Sequence, residues 1–132
     1  MAVCYWHTFC WDGHDIFGAP TFQRPWLAGA MDARAAKQKM DVAFEFMQKL
    51  GAPYYCFHDV DVMASANTIN EHLSNFAAAV DGLEAKQAEI GIKPLWGTAN
   101  ITSHPRYAGG AATNPDPEVF AFAATQVRAC LE

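Results

Sequence analysis

No apolar run in this chain approaches the ~18 residues that a membrane-spanning helix needs, so no membrane partner is expected. The opening Met1-Ala2-Val3-Cys4-Tyr5-Trp6 carries neither a basic head nor a small-residue cleavage site, which argues against a secretory signal and for a cytoplasmic protein. Positive charge is scarce: nine Lys and Arg stand against fourteen Asp and Glu, a net charge of −5 with no basic block. A phosphate backbone would find little to hold, so nucleic acid is not expected as a partner. The four cysteines, Cys4, Cys10, Cys56 and Cys130, form no C-x-x-C pair and no zinc spacing. They read as reduced thiols packed as small hydrophobes. The five histidines make no H-x-x-x-H or comparable motif, so no metal ligands are assigned.

What is present is enough apolar sequence, 52% of 132 residues, to bury one core, and residues 1–132 read as a single domain. Three apolar, aromatic and β-branched runs, 2–9, 54–60 and 94–98, are each bounded by Gly, Pro, Asn or Asp and read as strands. Their near-continuous apolarity predicts strands buried on both faces in a parallel sheet.

Each run leads to a helix. Met40, Ala43, Phe44, Met47 and Leu50 share one face, predicting a helix from about Asp32 to Leu50 that stops at Gly51. Ile69, Leu73, Phe76, Ala77, Val80 and Leu83 repeat the pattern between a Thr68-x-x-Glu71 capping box and Gly91. Val119, Phe120, Ala123, Val127 and Cys130 make a third stripe, opened by Asp116 and Pro117. The order predicts an α/β fold of about three βα units with parallel strands, and right-handed crossovers. A closed eight-unit barrel takes ~250 residues, so the outer edges of the first and third strands would stay open and need covering. Two long loops, 10–31 and 99–115, leave what should be the C-terminal ends of strands, where α/β folds carry their sites.

The segment Cys56-Phe57-His58-Asp59-Val60-Asp61 brings an imidazole and two carboxylates to a strand end. In an extended chain His58 and Asp61 would face opposite ways. A bend there would let a carboxylate hold one ring nitrogen and fix which nitrogen meets a substrate. The plainer alternative is a satisfied core histidine with carboxylates capping the next turn. Aromatic residues crowd the first strand and loop: Tyr5, Trp6, Phe9, Trp11, Phe17, Phe22 and Trp26. Core packing accounts for most such clusters, and stacking on the C–H face of a sugar is the sharper alternative. Trp96-Gly97-Thr98-Ala99-Asn100 sets a ring, a hydroxyl and an amide at another strand end, which suits a polyol.

These segments carry a resemblance. Val3-Cys4-Tyr5-Trp6-His7-Thr8-Phe9-Cys10-Trp11, Asp41-Val42-Ala43-Phe44-Glu45-Phe46, Cys56-Phe57-His58-Asp59-Val60-Asp61, and Trp96 to Asn100 continuing through Pro105-Arg106-Tyr107 to Ala111-Ala112-Thr113-Asn114-Pro115-Asp116-Pro117 resemble the xylose isomerase family. The longer-chain bacterial class matches in order and spacing along essentially the whole chain.

The resemblance implies a partial TIM (β/α)8 barrel, an N-terminal fragment holding the first three βα units. It implies an aldose-ketose isomerase acting on xylose and also glucose, in which His58 assists opening of the cyclic sugar and Asp61 orients the His58 ring. Trp6 and Trp96 would wall the sugar pocket, Thr98 would add a polar group, and Phe17 would reach a neighbouring subunit's site in a homo-oligomer. The family's hydride shift uses two divalent cations (Mg, Mn or Co), held by residues of later strands that have no counterpart here, so the chain alone is expected to be inactive and metal-free. Where the family places an aromatic two residues after Asn100, this chain has Thr102. Two other readings stand beside this one. A non-catalytic, self-associating βα fragment is one. A metal-dependent DNA-repair endonuclease on a related barrel is the other, and the −5 charge argues against it.

Overall fold

In a computed structural model describing residues 1–132, the three apolar runs pair through their backbones. β1 (Ala2–Cys4), β2 (Tyr54–His58) and β3 (Lys93–Thr98) form one parallel sheet in the order β1-β2-β3. Four helices join or follow them: α1 (Ala33–Leu50), the single turn α2 (Asp59–Val62), α3 (Ile69–Ile90) and α4 (Pro117–Leu131). The predicted parallel order holds, and the outer edges of β1 and β3 are open.

The helix boundaries follow local chemistry. Asp32 accepts the Ala35 N–H at 2.7 Å to start α1, and Asp116 accepts the Glu118 N–H at 2.8 Å to start α4. At α3, Thr68 Oγ1 accepts the Glu71 N–H while the Glu71 carboxylate accepts the Asn67 and Thr68 N–H groups. Gly51 and Gly91 close α1 and α3 at φ 69° and 80°, left-handed values that disfavour a side chain.

The core lies between the sheet and the α1–α3 pair. Met40, Ala43, Phe44 and Met47 of α1 meet Val3, Tyr55 and Phe57 from the strands and Phe76, Ala79 and Leu83 from α3. The Phe44 ring meets Tyr55 edge-on at 5.3 Å, and Tyr55 stacks on Phe57 at 5.7 Å. Gly97 of β3 has no room for a side chain, since a Cβ there would lie 2.8 Å from the Phe57 ring. A smaller cluster, Tyr107, Ala111 and Ala123, packs the second long loop under α4.

Several expectations change. The first strand ends at Cys4 rather than Phe9, because Tyr5 already has helical φ and ψ and Trp6–Cys10 coils as a π-helical turn. The turn buries Phe9 and presents its carbonyl to Trp26 Nε1–H at 2.7 Å, a partner that no sheet ladder offers there. The second strand ends at His58, where α2 begins. β2 is largely buried, but all six residues of β3, at one outer edge of the sheet, are exposed. The α1 stripe is buried as predicted except for Leu50. On α3 the buried residues are His72, Phe76, Ala79 and Leu83, and on α4 they are Ala123 and Gln126, with Phe120 and Val127 exposed. Both helices are turned by the polar network described below.

Phe44→Ala should cost about 3–5 kcal/mol by leaving a cavity in the core, and Thr68→Ala about 1 kcal/mol by removing one cap. Urea unfolding midpoints at unchanged m-value measure both. Equal losses would mean that Phe44 does not sit at the centre of the packing.

Candidate functional site

The C-terminal end of β2 bends sharply, and the bend makes the site. His58 is still extended (φ −100°, ψ 155°), and the next four residues form α2. The turn swings Asp61 back so that its Oδ2 accepts the His58 backbone N–H at 2.7 Å and lies 3.1 Å from His58 Nδ1. Asp61 therefore caps the turn and engages the imidazole through the same oxygen. Nδ1–H donating to this carboxylate leaves Nε2 as the ring's acceptor, without a protein partner.

Aromatic rings frame the imidazole. Trp6, on the π-helical turn, lies 4.6 Å from the His58 ring centroid, Trp96 of β3 lies 6.1 Å away, and the two indoles are 5.5 Å apart. A cavity of about 310 Å³ opens here, lined by Trp6, His7, Cys10, Trp11, His58, Asp61, Asn100 and Ser103. Of the residues singled out from sequence, Trp6, His58 and Asp61 line it, and Trp96 stands against Trp6 and His58. Thr98 pairs with His58 in the sheet register but is not among the lining residues. Phe17 is 90% exposed at the tip of the first long loop.

Asp59 faces the opposite way and is fully buried. Its Oδ1 accepts the Val60 N–H and the Asn100 N–H, both at 2.8 Å. Its Oδ2 accepts from Gln126 Nε2 at 2.6 Å and lies 3.1 Å from His72 Nε2. Gln126 also donates to the Asn100 carbonyl at 3.0 Å and accepts the Tyr107 hydroxyl at 2.7 Å. Burial pushes the Asp59 carboxyl up, but the hydrogen bonds from His72, Asn100, Gln126 and Val60 outweigh it and hold the group below the ordinary carboxylate range.

Sequence reading missed His72, Gln126 and Tyr107. Gln126, a lone amide three residues from buried Ala123 on an apolar helix, was the available signal. Lys39 was missed too. It sits on the buried face of α1, 1% exposed, and donates to Cys10 Sγ at 3.6 Å below the cavity, with Tyr5 Oη buried and unpartnered nearby. Burial pushes the Cys10 thiol up to about 11 against the pull of the Lys39 charge.

The carboxylates do not form a cation site. Both Asp59 oxygens are taken by four donors and Asp61 Oδ2 by His58, and no group of three His, Cys, Asp or Glu converges on one point. No helix is long and apolar enough to cross a membrane.

Fold and site together define a parallel α/β protein with an oriented His–Asp pair and an aromatic wall at the C-terminal end of its sheet. The chain is 64% identical over 132 residues to a xylose isomerase of Novosphingobium aromaticivorans, and 60% identical over 132 residues to one of Solibacter usitatus; each match covers 100% of this chain and 30% of the relative. A xylose isomerase of Pseudoalteromonas atlantica is 62% identical over 127 residues, 96% of this chain and 29% of its own length. Over its whole length, then, the chain is similar in sequence to xylose isomerases. It spans about three-tenths of the length of these relatives. No family model matches the chain.

Because the folded-state pKa of Asp59 is depressed, its contribution to stability is complete above the unfolded value, near 3.8, and is lost as pH falls through the lower folded value. Acid titration of the unfolding free energy should show that loss. Asp59→Asn should remove this part of the acid dependence and, by leaving buried donors unpaired, cost more than about 2 kcal/mol at neutral pH. An unchanged acid profile in the variant would mean that Asp59 is not the titrating group.

Proposed function

We propose that this chain is the part of a xylose isomerase, an aldose-ketose isomerase, that opens the cyclic sugar and shapes one wall of its pocket. The observation that carries this reading is the His58 imidazole held by Asp61 beside Trp6 at the cavity. Identity of 58–64% to xylose isomerases supports the same assignment. In this reading Nε2 of His58 takes the proton of the anomeric hydroxyl and returns it to the ring oxygen as the C–O bond of the hemiacetal breaks. Asp61 holds the Nδ1–H and so keeps the ring in that tautomer. Trp6 and Trp96 offer apolar faces to the sugar's C–H surface, and Thr98 a hydroxyl beside them.

We assign the three βα units of residues 1–132 to one domain, the first part of a TIM barrel, with Phe17 reaching a neighbouring subunit in a cytoplasmic homo-oligomer. In a whole isomerase two divalent cations, magnesium, manganese or cobalt, would supply the polarisation that a hydride shift between C1 and C2 needs. The residues of this chain do not fit such a site, so no step of the shift is assigned to them.

A second reading, self-association without catalysis, is favoured by the open edge strand β3, with Leu95 and Trp96 about half exposed on it. Light scattering across a concentration series separates the two, since a monomer throughout removes it.

The purified chain should form no xylulose from xylose with magnesium, manganese or cobalt. Mixed with a complement comprising the remaining part of one of the relatives, it should form xylulose, and His58→Asn should lower that rate at least about 100-fold. Xylulose formation by the chain alone would overturn the proposal.

A further inference from the structure

Two of the four cysteines stand opposite each other. The β1–β2 ladder pairs Ala2 with Tyr54, Val3 with Tyr55 and Cys4 with Cys56. Adjacent strands run about 4.8 Å apart, within the roughly 4.4–6.8 Å Cα separation that a disulfide bridges. Cys4 is partly exposed and Cys56 is buried but for 8% of its surface. Both thiols are free, and Cys56 Sγ lies 3.7 Å from the Val3 carbonyl oxygen, at the neighbouring residue of β1. Burial raises both thiols. Cys4, the more exposed of the two, is the member that a small molecule can reach.

We propose that Cys4 and Cys56 are a cross-strand dithiol that closes to a disulfide on exchange with a small-molecule disulfide, making the β1–β2 junction a redox-modification site. In the first step the Cys4 thiolate attacks one sulfur of the small disulfide, forming a mixed disulfide and releasing one small thiol. The Cys56 thiolate then attacks Cys4 Sγ and expels the second. One protein S–S bond forms as two S–H bonds are lost. The small disulfide is reduced to two thiols, which take up both protons.

The position gives the bridge a consequence. Only three register pairs hold β1 to β2, so β1 is a short edge strand able to shift into bridging geometry. Trp6 follows Cys4 by two residues, His58 follows Cys56 by two, and their rings are in contact. Closing the bridge ties the segment carrying Trp6 to the strand carrying His58. This inference is independent of whether a sugar binds there.

The test is to incubate the folded Cys10→Ser/Cys130→Ser double variant, which retains only this pair, with oxidised glutathione. The expected products are a chain lighter by two hydrogens, a Cys4–Cys56 linked peptide in tandem mass spectrometry, and a higher melting temperature that dithiothreitol reverses. In the unsubstituted chain the same link should dominate when folded and give way to mixed pairings in urea. Stable glutathione adducts on both thiols, two unmodified thiols, or a native link through Cys10 or Cys130 would overturn the proposal. If the double variant does not fold, the unsubstituted chain decides by the same peptide.

Discussion

The buried carboxylate of Asp59 holds four separate elements to one point. Its donors come from α2 (Val60), the loop after β3 (Asn100), α3 (His72) and α4 (Gln126). A carboxylate taken out of water is costly unless its lone pairs are filled, and here four donors fill them. This requirement explains why α4 turns Gln126 inward and leaves Phe120 and Val127 outside, and why His72 rather than Leu73 is the buried residue at the start of α3. Apolar periodicity proposes a face for each helix, and a buried charge with unfilled lone pairs selects the final rotation.

The same bend separates two carboxylates that are two residues apart. Asp59 turns into the protein and becomes structural, while Asp61 turns back to His58 and the cavity. Of the readings that the sequence left open for this segment, the bend and the capping carboxylate are both present, while His58 is part-buried rather than a satisfied core histidine. Asp61 caps the turn, and it also sets the imidazole tautomer, because the ring and the backbone N–H it serves belong to one residue. His58 is thus held on one side by a carboxylate and on the other by Trp6, with Nε2 free, an arrangement suited to moving a proton to or from a hydroxyl.

Much of the frame was legible in the sequence because its signals are local. Asp32, Thr68-x-x-Glu71 and Asp116 start helices where they stand, since a cap needs only the next three residues. Gly51 and Gly91 end helices for an equally local reason. The parallel order followed from strands alternating with helices. The contact of Trp6, Trp96 and His58 was legible through family likeness, whereas Trp96, Thr98 and Phe17 all stand outside the cavity lining.

What the sequence determined by itself was the identity of most elements, the ends of the three long helices, the parallel pairing of the strands, and the chemistry gathered at the end of β2. Tertiary structure alone decided how far each strand extends and which residues become polar partners. β1 stops at Cys4 because the Phe9 carbonyl finds the Trp26 indole, seventeen residues away, instead of a ladder. Gln126 becomes a partner of Asp59 across sixty-seven residues of sequence. A hydrogen bond of that reach leaves no periodic trace in either segment, because it forms only once the packed helices have brought its two ends into the same dry space.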